Sequence, residues 1–135
     1  PDGSLWNIAI RDPNEPDKYM AAIRLEDSAV ITSGGYERYF EENGIIYHHI
    51  LDPRTGKPSD SGLKSVSIIS KDGTLADALS TSLFIMGEEK AIGYWKENGN
   101  DFDILLMTKD NRLLVSAGIK DKIISDNYKI EVINK

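Results

Sequence analysis

Residues 65–86 read SVSIISKDGTLADALSTSLFIM, and they contain the best helix candidate of the sequence directly after a strand candidate. Its first part, Ser65 to Ser70, is rich in valine and isoleucine and predicts a β-strand. Its second part, Thr74 to Met86, predicts an α-helix, because apolar residues recur on one face at roughly 100° per residue. The residues of this apolar stripe are Leu75, Leu79, Leu83 and Met86. A strand followed by such a helix predicts a sheet with helical packing against it.

On both sides of this stretch, the chain is mostly strands separated by turn signals. A second helix is predicted at Glu88 to Asn98. Asn43-Gly44 is a strong hairpin signal, and Arg11 to Asp17 and Asp52 to Gly62 are predicted loops. The predicted strands are Leu5 to Ile10, Tyr19 to Leu25, Ala29 to Thr32, Tyr36 to Phe40, Ile45 to Ile50, Ile104 to Thr108, Arg112 to Ser116 and Tyr128 to Ile133. This pattern predicts an α+β fold: an antiparallel sheet with a central helical pair packed on one face.

Length and composition narrow the class of protein. The 135 residues suit a single domain, residues 1–135, and 40% of them are hydrophobic, which is enough for a core. The net charge of −6 argues against nucleic acid as a partner. The lack of cysteine excludes disulfides, iron–sulfur clusters and thiolate zinc sites. Because the chain begins Pro1-Asp2-Gly3 with no initiator methionine, we expect it to be a piece of a longer protein.

Asp77 and Thr81 lie four residues apart on the predicted helix, on the face opposite the leucine stripe. Asp77 is the only charged residue from Thr74 to Gly87, and a helix that is apolar nearly all round is usually buried. A buried carboxylate needs a partner, and a carboxylate with a hydroxyl suits magnesium. The alternative is a capping box with Thr74 at the N-cap and Asp77 reaching back, while Thr81 bonds the carbonyl one turn earlier.

Residues 47–58, YHHILDPRTGKP, contain both histidines of the chain. Adjacent strand residues point to opposite faces, which argues against a two-histidine zinc site. A histidine followed shortly by Asp52 suits a base with its orienting acid, and Arg54 and Lys57 suit the binding of phosphate groups. The alternative is a tight turn in which Asp52 bonds its own backbone.

Residues 32–36, TSGGY, carry a third candidate feature. No lysine follows the glycines as in a P-loop, and Ser33 lacks the G-x-S-x-G context of a hydrolase nucleophile. The two interpretations that remain are a backbone bend near a ligand and an ordinary strand connection.

The order of these segments along the chain is more specific than any one of them. The ordered segments are Asp2-Gly3-Ser4-Leu5-Trp6, Thr32-Ser33-Gly34, Tyr36, Tyr47-x-His49-Ile50-x-Asp52-Pro53-x-Thr55-Gly56-x-Pro58, Ala76-Asp77-Ala78-Leu79-Ser80-Thr81 and Met86-Gly87. In this order the chain resembles the ApbE-type FAD:protein FMN transferase family. The resemblance runs from near the first residue to about Gly87 and thins beyond it.

The resemblance implies an ApbE-like T-fold and an enzyme that uses FAD and magnesium. Such an enzyme transfers FMN through a phosphoester to a threonine of an acceptor protein and releases AMP. Asp77 and Thr81 match the metal-ligand positions, with Ser80 beside them as a candidate metal contact through its backbone.

The resemblance also assigns residues to the flavin. His49, Ile50 and Asp52 match the segment that lines the flavin nucleotide, and His49 is the candidate base for the acceptor threonine. We expect the chain to be the C-terminal part of a longer, exported or membrane-anchored transferase, and to be an incomplete enzyme alone. Two alternatives stay open: an FAD pyrophosphatase that gives FMN and AMP, and a non-enzymatic flavin-binding module.

Overall fold

The computed structural model describes residues 4–135, in which a run of strands is followed by two helices and then by further strands. The strands before the helices are β1 (Trp6–Arg11), β2 (Tyr19–Leu25), β3 (Ala29–Gly34), β4 (Tyr39–Glu42), β5 (Ile45–His48), β6 (Leu51–Asp52), β7 (Lys57–Pro58) and β8 (Leu63–Ser70). The helices are α1 (Gly73–Met86) and α2 (Glu88–Asn98). The later strands are β9 (Phe102–Thr108), β10 (Leu113–Ser116), β11 (Ile123–Ile124) and β12 (Ile130–Ile133), with a 3₁₀ turn at Ala117–Ile119.

A five-stranded sheet, in the order β12-β10-β9-β8-β3, forms the middle layer. Its pairs are antiparallel except for β10 with β12, which run parallel. The two helices pack on one face of this sheet, which confirms the predicted α+β arrangement. The opposite face is covered by a second sheet, β1-β2-β11, which the sequence pattern did not reveal.

Strand β9 shows why the middle sheet is so apolar. Ile104 and Leu106 belong to the core on the helix side, and Leu105 and Met107 belong to the core under the second sheet. All four side chains are fully buried. A strand covered on both faces has a continuous apolar run instead of an alternating one, which is what the sequence shows here.

Several predicted boundaries differ from those of the structure. Asn43 and Gly44, both with positive φ, connect β4 to β5 as the hairpin signal predicted. The strand predicted from Tyr36 begins only at Tyr39, and the predicted loop Asp52 to Gly62 contains the small hairpin β6–β7. The matched residues Asp2 and Gly3 lie outside the described part of the chain. Neither helix between residues 4 and 135 is long and apolar enough to cross a membrane.

Helix α1 is capped by Asp72. The Asp72 carboxylate accepts hydrogen bonds from the backbone N–H of Thr74 at 2.9 Å and of Leu75 at 3.1 Å. The alternative capping box with Thr74 at the N-cap is therefore wrong, because the aspartate two residues earlier satisfies the free N–H groups of the first turn. Asp77 is consequently not needed for the cap.

Gly87 joins the two helices in a conformation that suits glycine alone. Its φ of 83° and ψ of 172° lie in a region that other residues essentially avoid, and an added Cβ would lie 2.7 Å from the carbonyl oxygen of Ser61. We expect Gly87→Ala to lower the free energy of unfolding by about 1–3 kcal/mol, measured by urea denaturation. The matched control, Gly93→Ala inside α2, meets open space and should stabilise by up to about 1 kcal/mol. Equal stability of the two variants would contradict this account of the junction.

Candidate functional site

Strand β3 and helix α1 bring three hydroxyl groups together. The Oγ of Ser33 lies 2.8 Å from the Oγ of Ser80 and 3.0 Å from the Oγ1 of Thr81. The Ser80 hydroxyl also donates to the backbone carbonyl of Asp77 at 2.9 Å. Residues 32–34 form the end of strand β3, which places Ser33 against the predicted metal-binding helix.

Asp77 is exposed, and the expectation of a buried carboxylate is wrong. The sheet covers only the side of α1 that carries Ala76, Leu79, Ser80, Leu83 and Phe84. The other side is open to solvent and carries the exposed residues Thr74, Asp77, Ala78, Thr81, Ser82 and Met86. Thr81 is exposed on the same side, one turn beyond Asp77.

The exposed face of α1 offers oxygen ligands for a cation. Among residues 4–135, no group of three or more histidine, aspartate or glutamate residues is arranged to hold a metal ion. The available set is one carboxylate, from Asp77, with neighbouring hydroxyls. This set fits magnesium, which prefers oxygen ligands, keeps several waters and is commonly held by one or two carboxylates with substrate phosphates.

His48 is half-buried and unsuited to be a base. Its Nε2 lies 3.1 Å from the carbonyl oxygen of Ser59, and because a carbonyl only accepts, Nε2 carries the proton. Its Nδ1 is buried with no hydrogen-bond partner within residues 4–135. The ring packs edge-on against Phe84, with centroids 5.8 Å apart, so His48 joins this strand segment to α1.

His49 has the opposite arrangement. It is exposed, and its Nδ1 lies 3.3 Å from the carbonyl oxygen of Arg38. By the same reasoning Nδ1 carries the proton, which leaves the lone pair of Nε2 facing solvent. A histidine held by a carbonyl at one nitrogen, with the other nitrogen accessible, is suited to accept a proton.

Asp52 does not orient His49, and that interpretation is wrong. Its carboxylate accepts from the backbone N–H of Arg54 at 2.9 Å and from the Arg54 guanidinium at 2.7 Å. The carbonyl of Asp52 accepts from Thr55 and Gly56, so the alternative of a tight turn is confirmed. Arg54 is thereby engaged within the turn.

Ile50 lies in the core on the helix side, with only 4% of its surface exposed. Any contact from Ile50 to a nucleotide would therefore come from its main chain. Its carbonyl accepts from the backbone N–H of Ser59, which ties the segment after β5 to the segment after β7.

The ion pair between Asp52 and Arg54 makes the Asp52 carboxyl unusually acidic. Hydrogen bonds from Arg54 lower the pKa of the Asp52 carboxyl to about 2. Because the folded-state pKa is below the unfolded value of about 3.9, the pair stabilises the fold above about pH 4 and loses this effect as the pH falls to about 2. In Arg54→Gln the pKa should rise towards its ordinary value in an NMR titration, whereas the control Lys57→Gln should leave it low. A wild-type midpoint near pH 4 would contradict the assignment.

A cavity of about 750 Å³ opens beside the site. Its walls are mostly aromatic and aliphatic side chains, with three lysines, Lys57, Lys64 and Lys109. His48 lines it, as does Lys57, which the sequence predicts to bind phosphate groups, but the residues predicted to bind the flavin or the metal do not. Those residues are His49, Ile50, Asp52, Asp77, Ser80 and Thr81. Burial raises the pKa of the Tyr36 hydroxyl in this wall above its ordinary value.

The profile of the ApbE family matches residues 1–106. The chain belongs to the ApbE family. It is 43% identical over 119 residues to the FAD:protein FMN transferase of Treponema pallidum (strain Nichols), which covers 87% of this chain and 33% of that protein. It is 37% identical over 113 residues to that of Klebsiella pneumoniae (strain 342), which covers 83% of this chain and 35% of that protein.

Solved ApbE structures have the same fold. The ApbE protein from Thermotoga maritima aligns with a TM-score of 0.79 at 38% identity, over 88% of this chain and 38% of that one. The flavinyl transferase ApbE of Pseudomonas stutzeri aligns with a TM-score of 0.61 at 38% identity, over 81% of this chain and 33% of that one. The chain thus spans about a third of the length of the relatives it matches.

Proposed function

We propose that this chain supplies the metal-binding and proton-accepting side of a magnesium-dependent FAD:protein FMN transferase site. The observation that carries the proposal is the exposed face of α1, where Asp77 and Thr81 lie one turn apart beside Ser33. Membership of the ApbE family, whose matched relatives are named FAD:protein FMN transferase, supports this assignment.

The proposed reaction begins with the hydroxyl of an acceptor threonine. Its oxygen attacks the phosphorus of the FMN half of FAD while Nε2 of His49 accepts its proton. The bond from that phosphorus to the bridging oxygen breaks, and AMP leaves with the bonding electrons. Magnesium held by Asp77 and Thr81 would supply charge neutralisation for the phosphate oxygens.

The predicted flavin and metal residues take different parts in this proposal. Ile50 contributes main-chain groups, because its side chain is buried. Asp52 holds the turn that follows His49, through its bonds to Arg54. Ser80, whose hydroxyl is fully buried and bonded to Asp77 and Ser33, positions the helix face.

A second candidate function, an FAD pyrophosphatase, is favoured by the exposure of His49. An open Nε2 can accept a proton from water as well as from threonine. Three incubations test this, each with the chain, FAD and magnesium. The first has no peptide, the second has a threonine-containing peptide, and the third has the same peptide with alanine in place of threonine. Transfer gives AMP together with flavin bound to the threonine peptide only. AMP release in all three incubations identifies the pyrophosphatase.

A chimera tests the same proposal in a full-length context. This chain replaces the segment that it matches in the Treponema pallidum enzyme, and flavin attachment is followed by fluorescence after denaturation. Activity that His49→Ala and Asp77→Asn remove supports the proposal. FAD binding that is indifferent to magnesium, with no product from the chain or the chimera, supports a non-enzymatic module instead.

A further inference from the structure

The three hydroxyls at the β3–α1 contact form a hydrogen-bond chain, and the donor and acceptor of each of its bonds can be deduced. The carbonyl of Asp77 has no proton to give, so the Ser80 hydroxyl must donate to it across their 2.9 Å contact. Because the single hydroxyl proton of Ser80 is in this hydrogen bond, Ser80 must accept from Ser33 across their 2.8 Å contact. Ser33 has then used its proton as well, and must accept from Thr81 at 3.0 Å. The order of donation is Thr81 to Ser33 to Ser80 to the Asp77 carbonyl.

The direction of this chain has a consequence for Thr81. A hydroxyl that binds a cation must turn its lone pairs towards the ion and its proton away from it. Ser33 accepts a hydrogen bond from the Thr81 hydroxyl on the protein side, which leaves the lone pairs of Thr81 free on the exposed face. Asp77 lies one turn back on the same face, so both groups face the same solvent region.

We propose that Ser33 is a positioning residue, which with Ser80 holds the Thr81 hydroxyl in the orientation that binds a divalent cation. This inference rests on the proposed magnesium-dependent function. Ser33 suits the role because it lies on β3, which is held by its antiparallel pairing with β8 in the middle sheet. Ser80 suits it because the hydroxyl is fully buried and so is not redirected by bulk water.

Another serine of the same helix provides a matched contrast. Within residues 4–135, the Ser82 hydroxyl bonds to the carbonyl of Ala78 alone, at 2.8 Å, which is the usual local bond of a helical serine. It accepts no bond from Thr81 or β3. Ser82→Ala therefore removes a hydroxyl from α1 without touching the chain from Thr81 to Asp77.

NMR without any metal tests the direction of donation in this hydrogen-bond chain. The exchange rate of each hydroxyl proton is measured from the deuterium isotope shift on the Cβ carbon. In the wild type, the Ser80 and Thr81 hydroxyls should both exchange slowly. In Ser33→Ala, exchange at Thr81 should become at least about tenfold faster, while Ser80, which keeps its carbonyl acceptor, stays slow. Ser82→Ala should change neither. Slow exchange at Thr81 in Ser33→Ala would overturn the inference.

The role towards the cation is tested by calorimetric titration of FAD, with magnesium and with EDTA. Ser33→Ala should reduce the magnesium-dependent gain in FAD affinity by about tenfold, as for partners of metal ligands, and leave the affinity in EDTA unchanged. Ser33→Thr keeps a hydroxyl and should restore most of the gain. A purely structural role predicts equal losses with and without magnesium, which would overturn the proposal.

The two tests separate the failure of this inference from the failure of the proposed function. If neither the wild-type chain nor the chimera gains FAD affinity from magnesium, the proposed function and the cation role both fail, whatever the NMR result. If the wild type gains affinity and Ser33→Ala gains just as much, only the inference about Ser33 fails.

Discussion

Phe84→Ala should lower the free energy of unfolding by about 3–5 kcal/mol. The Phe84 side chain is 1% exposed and is among the largest fully buried groups between residues 4 and 135. It packs in the core between α1 and the middle sheet, so truncation removes buried apolar surface and leaves a cavity. A domain with a typical stability of about 5–15 kcal/mol would lose a large share of it. Urea denaturation monitored by circular dichroism measures the change.

The control for this prediction is Met86→Ala, two residues further along the same helix. Met86 is 43% exposed, so its truncation should cost less than about 1 kcal/mol. If the two variants are equally stable, the core between α1 and the sheet is not packed as described.

Phe84→Ala should also disturb the histidine segment. The Phe84 ring supports His48 edge-on, and the next residue is the proposed base His49. Histidine ring resonances in NMR spectra should therefore shift in Phe84→Ala and stay in place in Met86→Ala. Such a shift would show that Phe84 influences the orientation of the proposed base, because α1 and the histidine segment are in contact through Phe84 and His48.

Local patterns were sufficient for most elements of the fold. Strand β2 and helix α2 have the bounds that the sequence predicts, since their periodicity and their flanking breakers lie within a few residues. Strand β11 has two residues, which is too short for any periodicity. Its existence depends on pairing with β2, a contact between segments about a hundred residues apart.

The candidate site was only partly predictable for the same reason. The residue types of Asp77 and Thr81 and their spacing are visible in the sequence, but which side of α1 the sheet covers is a tertiary property. Ser33 lies 48 residues before Thr81, and nothing in the sequence indicates that their hydroxyls meet. The group that orients His49 is a backbone carbonyl, which leaves no trace in the side-chain pattern.

Asp77→Asn should remove most of the effect of magnesium on FAD. The substitution keeps the shape of the side chain and removes its charge, and Asp77 is the one carboxylate between residues 74 and 87. The hydroxyl of Thr81 is neutral and is a poor magnesium ligand without an anionic partner. Because loss of a partner that only orients a ligand costs about 10–100-fold, we expect loss of the ligand itself to cost about 100-fold in magnesium-dependent FAD affinity.

Calorimetric titration of FAD with magnesium and with EDTA measures this effect on the folded chain. The matched control is Glu89→Gln, which removes one negative charge from an exposed position of α2 and should leave the magnesium dependence intact. Since Asp77 is exposed and its carboxylate is not needed for the helix cap, Asp77→Asn should unfold at the same urea concentration as the wild type. An unchanged magnesium dependence in the folded variant would remove Asp77 from the proposed site, and a loss shared by Glu89→Gln would reduce its effect to net charge alone.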